Sequence, residues 1–354
     1  MVISLILLFS FCLSLSFFEE RFDKTEKISF YIFLGICMIL IAGLREVGST
    51  PDTMAYEDMY YGKYQEVIEL ITEPTFLWIS EFLKSFSLGI NALFFAYAIL
   101  SIPLHLAAFW KLSKLPFLTL TIYLSYYYMM HDMVQIRCAV ASGLFIWTIY
   151  FYVEKKKSYA LGCILIGILF HYSATTGLVL FLLNEKFDKW QTIALYAIIP
   201  LGLIAYFTNM DISYLVPEEL GGAKLMAYRE LKEKGLENDQ AGWALEVNIL
   251  IWMNIVLYLA SIYYHEYLTK QCKYVPIAIK VQAIGFCCLF FLKGVSKILG
   301  NRLNDFFSVA SIILWTASVF TFYPRIFGKI ISNVISTVRF ITSMLAYALS
   351  LLFL

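Results

Sequence analysis

The chain has 354 residues, of which 60% are hydrophobic and 18% aromatic, while only 15% are charged. A water-soluble domain carries about 25% charged residues, so a soluble globule is set aside. The net charge of +1 gives no basic or acidic excess that would draw nucleic acid or an acidic partner.

The apolar residues fall into runs at about 1–18, 28–44, 90–110, 116–130, 134–153, 158–183, 191–208, 244–264, 276–294, 304–322 and 330–353. A spanning helix needs about 20 apolar residues. The runs therefore predict an all-α, polytopic membrane helix bundle of about 10–12 transmembrane segments in one domain, 1–354. The first run lacks a positive n-region and a small-residue cleavage site, and reads as a retained span. Most of the seven cysteines sit within the runs and none forms a CxxC, so metal and disulfide frameworks have little support.

Lysine and arginine orient the bundle. Arg21, Lys24 and Lys27; Lys111 and Lys114; Lys155 to Lys157; Lys186 and Lys189; Lys270 and Lys273; and Arg325 and Lys329 alternate along the chain and are expected in the cytoplasm, with the N-terminus outside. This alternation requires the run 158–183 to be broken. Its centre, His171-Tyr172-Ser173 followed by Thr175, Thr176 and Gly177, is polar. A helix break near His171 is expected, with the second half returning to the cytoplasmic side. A single long tilted span would instead put 184–190 outside. With the break, segments 45–89, 131–133, 209–243 and 295–303 face outward. Two stretches in these loops, Thr75 to Phe86 and Ala223 to Glu237, read as interfacial helices.

Polar groups at membrane depth are costly and need a reason. Arg45 closes the second run. Asp52 and Tyr56 follow, four residues apart and on one face if helical. Arg45 could snorkel to the interface and Asp52 could cap a helix. His131 and Asp132 follow Tyr126 to Tyr128. They form either a polar turn after an aromatic belt or a sugar-stacking platform beside a proton-transfer pair. Arg137 opens the next run, as an interfacial anchor or facing a wet cavity. His171 is the one histidine read as deep in an apolar run, where it suits packing, proton transfer or phosphate contact equally. Arg302 and Asp305, three residues apart, could pair on one helix face, with Lys293 and Lys297 nearby. Taken together, Arg45, Arg137, His171 and Arg302 converge on one leaflet and suit an anion with planar oxygen groups, such as a diphosphate. No GxGxxG, GxxxxGK[ST] or HExxH is present.

The ordered set Gly43-Leu44-Arg45, Asp52, Tyr56, Gln135-Ile136-Arg137, Phe170-His171-Tyr172-Ser173-Ala174, and Arg302 ahead of Phe306-Phe307 resembles the EpsG family of Wzy-like bacterial surface polysaccharide polymerases. The resemblance covers roughly 30–310. Here Ser49-Thr50-Pro51 precedes Asp52, a longer spacer than the family's Gly-Thr-Asp form. The resemblance implies a multi-pass enzyme of the bacterial cytoplasmic (inner) membrane. It would transfer a glycan from an undecaprenyl-diphosphate carrier to the non-reducing end of a lipid-linked repeat unit, on the outer face, without metal or cofactor. Its partners would be undecaprenyl-diphosphate-linked oligosaccharides, the bilayer and a chain-length regulator protein. In that reading Arg137 and Arg302 hold the diphosphate with Arg45 in support, Asp52 or His171 is the base, and Tyr56 with Tyr126 to Tyr128 meets sugars. His131, Asp132 and Asp305 would line the substrate site. A flippase of lipid-linked oligosaccharides and a membrane acyltransferase are the rival readings.

Overall fold

The computed structural model describes residues 1–62, 72–208, 210, 249–294 and 296–352. Among them there is no strand. The expected surface helix over Ala223 to Glu237 and most of the loop 209–243 lie outside the described residues.

The chain divides into two compact units, 1–181 with 315–354, and 182–314. The first unit holds α1 (Val2–Phe18), α2 (Lys24–Gly43), α3 (Pro51–Tyr61), α4 (Pro74–Ser85), α5 (Ile90–Leu112) and α6 (Pro116–Ser125). A π-helical turn (Tyr128–Val134), α7 (Ile136–Val153) and α8 (Lys157–Phe170) follow. The second unit holds α9 (Lys189–Phe207), α10 (Ile249–Tyr263), α11 (His265–Gln271), α12 (Val275–Phe291) and α13 (Lys297–Ser308). After α14 (Ser311–Ser318), α15 (Arg325–Leu352) returns the chain to the first unit. By length and apolarity α2, α5, α7, α9 and α15 can each cross a membrane. The bent pair Lys297–Ser308 and Ser311–Thr321 adds a sixth crossing if counted as one span. Among the described residues six further apolar helices are shorter, at 10–17 residues.

The break at His171 is present. Helix α8 ends at Phe170, His171 is extended (φ −155°, ψ 122°), and a 3₁₀ segment, Tyr172–Leu182, begins at once. This segment turns back along α8. A Cβ at Gly167 would stand 3.2 Å from that of Ala174. A Cβ at Gly177 would stand 3.7 Å from Ile164 and 3.1 Å from Phe145 of α7. Farther along, Phe181 meets Tyr152 edge-on with ring centroids 5.8 Å apart. Residues 174, 177 and 181 thus run antiparallel to 167 and 164 and end beside the C-terminal end of α7.

Helix α15 is inverted relative to a soluble amphipathic helix. Ile326, Ile330, Val334, Ile341 and Leu345 are exposed, while Lys329, Ser332, Asn333, Ser336, Arg339 and Ser343 are buried. An apolar surface toward lipid and a polar face toward protein is the arrangement expected in a bilayer. Lys329 pairs with Glu19 (3.6 Å) and Glu20 (3.2 Å). Ser16 donates to Asn333 Oδ1 (3.1 Å), and Ser343 donates to the Ser125 carbonyl (3.1 Å). Arg339 lies 5.5 to 5.8 Å from the rings of Tyr127, Tyr126 and Trp315. Its guanidinium nitrogens make no hydrogen bond among the described residues.

In the second unit Lys280 of α12 clamps the loop between the 3₁₀ segment and α9. Its ammonium donates to Asn184 O (2.8 Å), Asn184 Oδ1 (2.9 Å), Lys186 O (2.7 Å) and Gln191 Oε1 (2.9 Å). The loop therefore lies at the end of α12 that begins just after Lys270 and Lys273. None of the seven cysteines forms a disulfide.

Candidate active site

Short polar elements between the long helices of the first unit build the site. Helix α2 stops at Gly43, and Arg45 turns inward with almost no exposed surface. One Arg45 nitrogen donates to the Ala42 carbonyl and, at 3.5 Å, to the Asp132 carbonyl. The guanidinium carbon stands 4.0 Å from the centre of the Phe94 ring. Burial lowers the Arg45 pKa to about 10, against the pull of Tyr56, Tyr128 and Asp132, so it stays cationic at neutral pH. Its Nε and second terminal nitrogen have no hydrogen-bond partner among the described residues.

Gly48 takes the left-handed backbone (φ +83°) that a side chain resists, and turns the chain into α3. Thr53 accepts the Gly48 N–H (2.9 Å), and Thr50 donates to the Met133 carbonyl (3.2 Å), which fixes this turn against the π-helical segment. Pro51 opens α3, with Asp52 half-buried in its first turn. Tyr56, one turn on and buried, packs against Phe76 of α4 (6.1 Å between centroids).

The centre of the site is Glu73, which the sequence reading did not single out. It precedes Pro74 at the start of α4 and is extended (φ −67°, ψ 142°), as a residue before proline must be. Its side chain does not cap its own helix. One carboxylate oxygen takes a hydrogen bond from Arg137, the second residue of α7. The other lies 2.9 Å from His171 Nδ1 and 3.3 Å from the Tyr172 N–H. Glu73 is wholly buried, whereas the Arg137 and His171 side chains keep 19% and 15% of their surface. The Arg137 guanidinium also lies over Tyr56 (5.6 Å) and Phe76 (5.5 Å). Tyr56 therefore stands next to both Arg137 and Arg45.

A second polar layer lies deeper. The π-helical turn presents His131 and Asp132, both buried. Such turns recur at functional sites. Asp132 accepts from Ser101 (2.5 Å) and from the Tyr123 hydroxyl. His105 Nδ1 lies 2.9 Å from the Ser101 carbonyl and its Nε2 lies 3.2 Å from Ser142 Oγ, which in turn lies 2.8 Å from His131 Nδ1. A carbonyl only accepts, so His105 carries its proton on Nδ1. Ser142 also donates to the Ala139 carbonyl (3.0 Å), so its single hydroxyl proton is shared between that oxygen and His105 Nε2. Tyr97, Ser101 and His105 recur every four residues on α5 and link the two layers.

The first unit thus brings together Arg45, Tyr56, Arg137 and His171, with Asp52, His131 and Asp132 on the elements around them. Tyr127 and Tyr128 are fully buried, and Tyr128 donates to the Met38 carbonyl (2.7 Å). As placed, these two frame the polar layer and offer no open face for stacking. Arg302 and Asp305 belong to the second unit, on α13, where Asp305 is buried and Arg302 exposed. Among the described residues no group of three or more His, Cys, Asp or Glu side chains could hold a metal ion.

A family model described as the EpsG family matches residues 28–353, nearly the whole chain. No curated protein and no solved structure matches.

Proposed function

The chain belongs to the EpsG family of Wzy-like polysaccharide polymerases, and from that premise we propose that it extends a bacterial surface glycan on a polyprenyl-diphosphate carrier. The growing chain passes from its carrier to the non-reducing end of a new lipid-linked repeat unit, at the outer face of the cytoplasmic membrane. The observation that supports this reading is the meeting of Arg137 and His171, distant in sequence, at one buried carboxylate beside Tyr56 and Arg45.

The chemistry suits these groups. The acceptor hydroxyl attacks the anomeric carbon of the donor, and the bond from that carbon to the diphosphate oxygen breaks. Negative charge grows on the departing diphosphate, where Arg137 and Arg45 stabilise it. The hydroxyl proton passes to His171, which is partly exposed and held in place. Asp52 and Tyr56 share one face of α3 and bind sugar hydroxyls.

The test is the purified protein in liposomes with a labelled lipid-linked repeat unit. A ladder of longer glycans is expected from the wild type, and none from Arg137→Ala or His171→Ala. Transfer of label between leaflets with no new glycosidic bond would identify a flippase instead.

A further inference from the structure

We propose that Glu73 is the positioning residue of this site. Its carboxylate holds His171 in the tautomer with the proton on Nδ1 and the lone pair on Nε2, facing the acceptor hydroxyl. The proposal rests on the reading of His171 as the base.

Protonation follows from the contacts. A carboxylate can only accept. The oxygen 2.9 Å from His171 Nδ1 therefore requires a proton on that nitrogen. While His171 is neutral, as a base must be, its one N–H is on Nδ1 and the lone pair is on Nε2. Glu73 cannot be the base itself. It has no exposed surface, and its two oxygens are engaged by Arg137 on one side and by His171 and Tyr172 on the other. His171 keeps a partly exposed edge.

The backbone explains how Glu73 gets there. Pro74 confines it to the extended region, and its side chain leaves the helix start and crosses to α7 and α8. Thr75, two residues on, donates to the Leu169 carbonyl (2.7 Å) and fixes the start of α4 against the end of α8. His171 is in turn the extended residue that breaks the helix, so its ring leaves the helix axis at the point where Glu73 arrives.

During transfer the acceptor proton moves to Nε2 and the imidazole becomes a cation. Glu73 stabilises that cation without taking the proton. His171 then releases the proton to water at its exposed edge.

The experiment is the pH–rate profile of the reconstituted enzyme on a lipid-linked repeat unit. Glu73→Gln can present its amide N–H₂ to Nδ1 and favour the wrong tautomer. The rate is expected to fall about 1,000-fold, with the acid limb moved down by about one pH unit. Glu73→Asp should restore part of the rate and the original limb. If the glutamine variant does not fold, Glu73→Asp alone carries the test: the shorter carboxylate keeps the charge but not the 2.9 Å contact, and a rate about 10-fold below wild type is expected. Near wild-type rates with an unmoved acid limb in the glutamine variant, or, where that variant does not fold, a wild-type rate in Glu73→Asp, would overturn the proposal while an inactive His171→Ala keeps the base reading. An active His171→Ala would remove the base reading and this proposal with it.

Discussion

Thr75 Oγ1 donates a 2.7 Å hydrogen bond to the carbonyl of Leu169. The last carbonyls of a helix have no partner within it, so this bond satisfies one of them at the end of α8. It also ties the residue two after Glu73 to the residue two before His171. Thr75→Val keeps the shape and leaves the Leu169 carbonyl unpaired, at a cost of about 1–2 kcal/mol. The catalytic geometry should loosen as well, with turnover falling on the order of 10-fold. Thr75→Ser should stay near wild type. Thermal unfolding in detergent and the polymerisation assay check both arms, and equal behaviour of valine and serine would remove the pinning role.

Arg137 is held by more than charge. Its guanidinium binds Glu73 and lies over two rings, Tyr56 and Phe76. A lysine ammonium has neither the planar fork nor the stacking face. Arg137→Lys should therefore lose at least about 10-fold in polymerisation, although charge is conserved. Arg137→Ala should also destabilise the fold by about 3–5 kcal/mol, because it strips a wholly buried carboxylate of its cationic partner. A melting curve separates the two effects: the lysine variant should fold and the alanine variant should melt early.

Glu19 gives the fold a pH dependence. It follows α1, is almost fully buried, and burial pushes its carboxyl up to about 7 from an ordinary 4.5, against the pull of Lys329. Below pH 4.5 the group is protonated whether folded or unfolded, and its contribution is fully present. Between 4.5 and 7 the folded state holds a proton that the unfolded state has released. Stability is therefore lost as pH rises through that window, by up to about 3 kcal/mol. Glu19→Gln should flatten that slope, and Lys329 keeps Glu20 at 3.2 Å. Melting temperatures at pH 5 and pH 8 decide it, and an unchanged difference in the glutamine variant would rule Glu19 out as the source.

Arg45, Arg137 and His171 were legible because a charged or ionisable residue in an apolar run needs a partner. The break at His171 was legible because its polar cluster sits where charge alternation demands a reversal. Glu73 was missed because an acidic residue before a proline at a helix start reads as an ordinary cap. Its partners are 64 and 98 positions away, and no local pattern encodes that distance. The signal available was charge balance: two cationic candidates facing outward with no acidic group assigned to them. Arg339 was missed for another reason. The run 330–353 was weighed by its mean apolarity, and the spacing of Ser332, Ser336, Arg339 and Ser343, which marks a buried polar face, went unread.

The return of the chain after His171 fixes which side of the membrane carries the loop 184–190. Residues 174, 177 and 181 pack back along α8 toward Tyr152, close to Lys155 to Lys157. Lys280 holds the loop through four oxygens, more than three ammonium protons can serve singly, so one proton is shared. The lysine and arginine count of the loop predicts a cytoplasmic Lys186 under the positive-inside rule. In a background without the native cysteines, Lys186→Cys should resist a membrane-impermeant maleimide in intact cells and react after permeabilisation. Lys280→Met should then raise the labelling rate, because the loop loses its clamp while its side stays the same. Labelling of Lys186→Cys in intact cells would invert the assigned orientation and place the His171 chemistry away from the outer face.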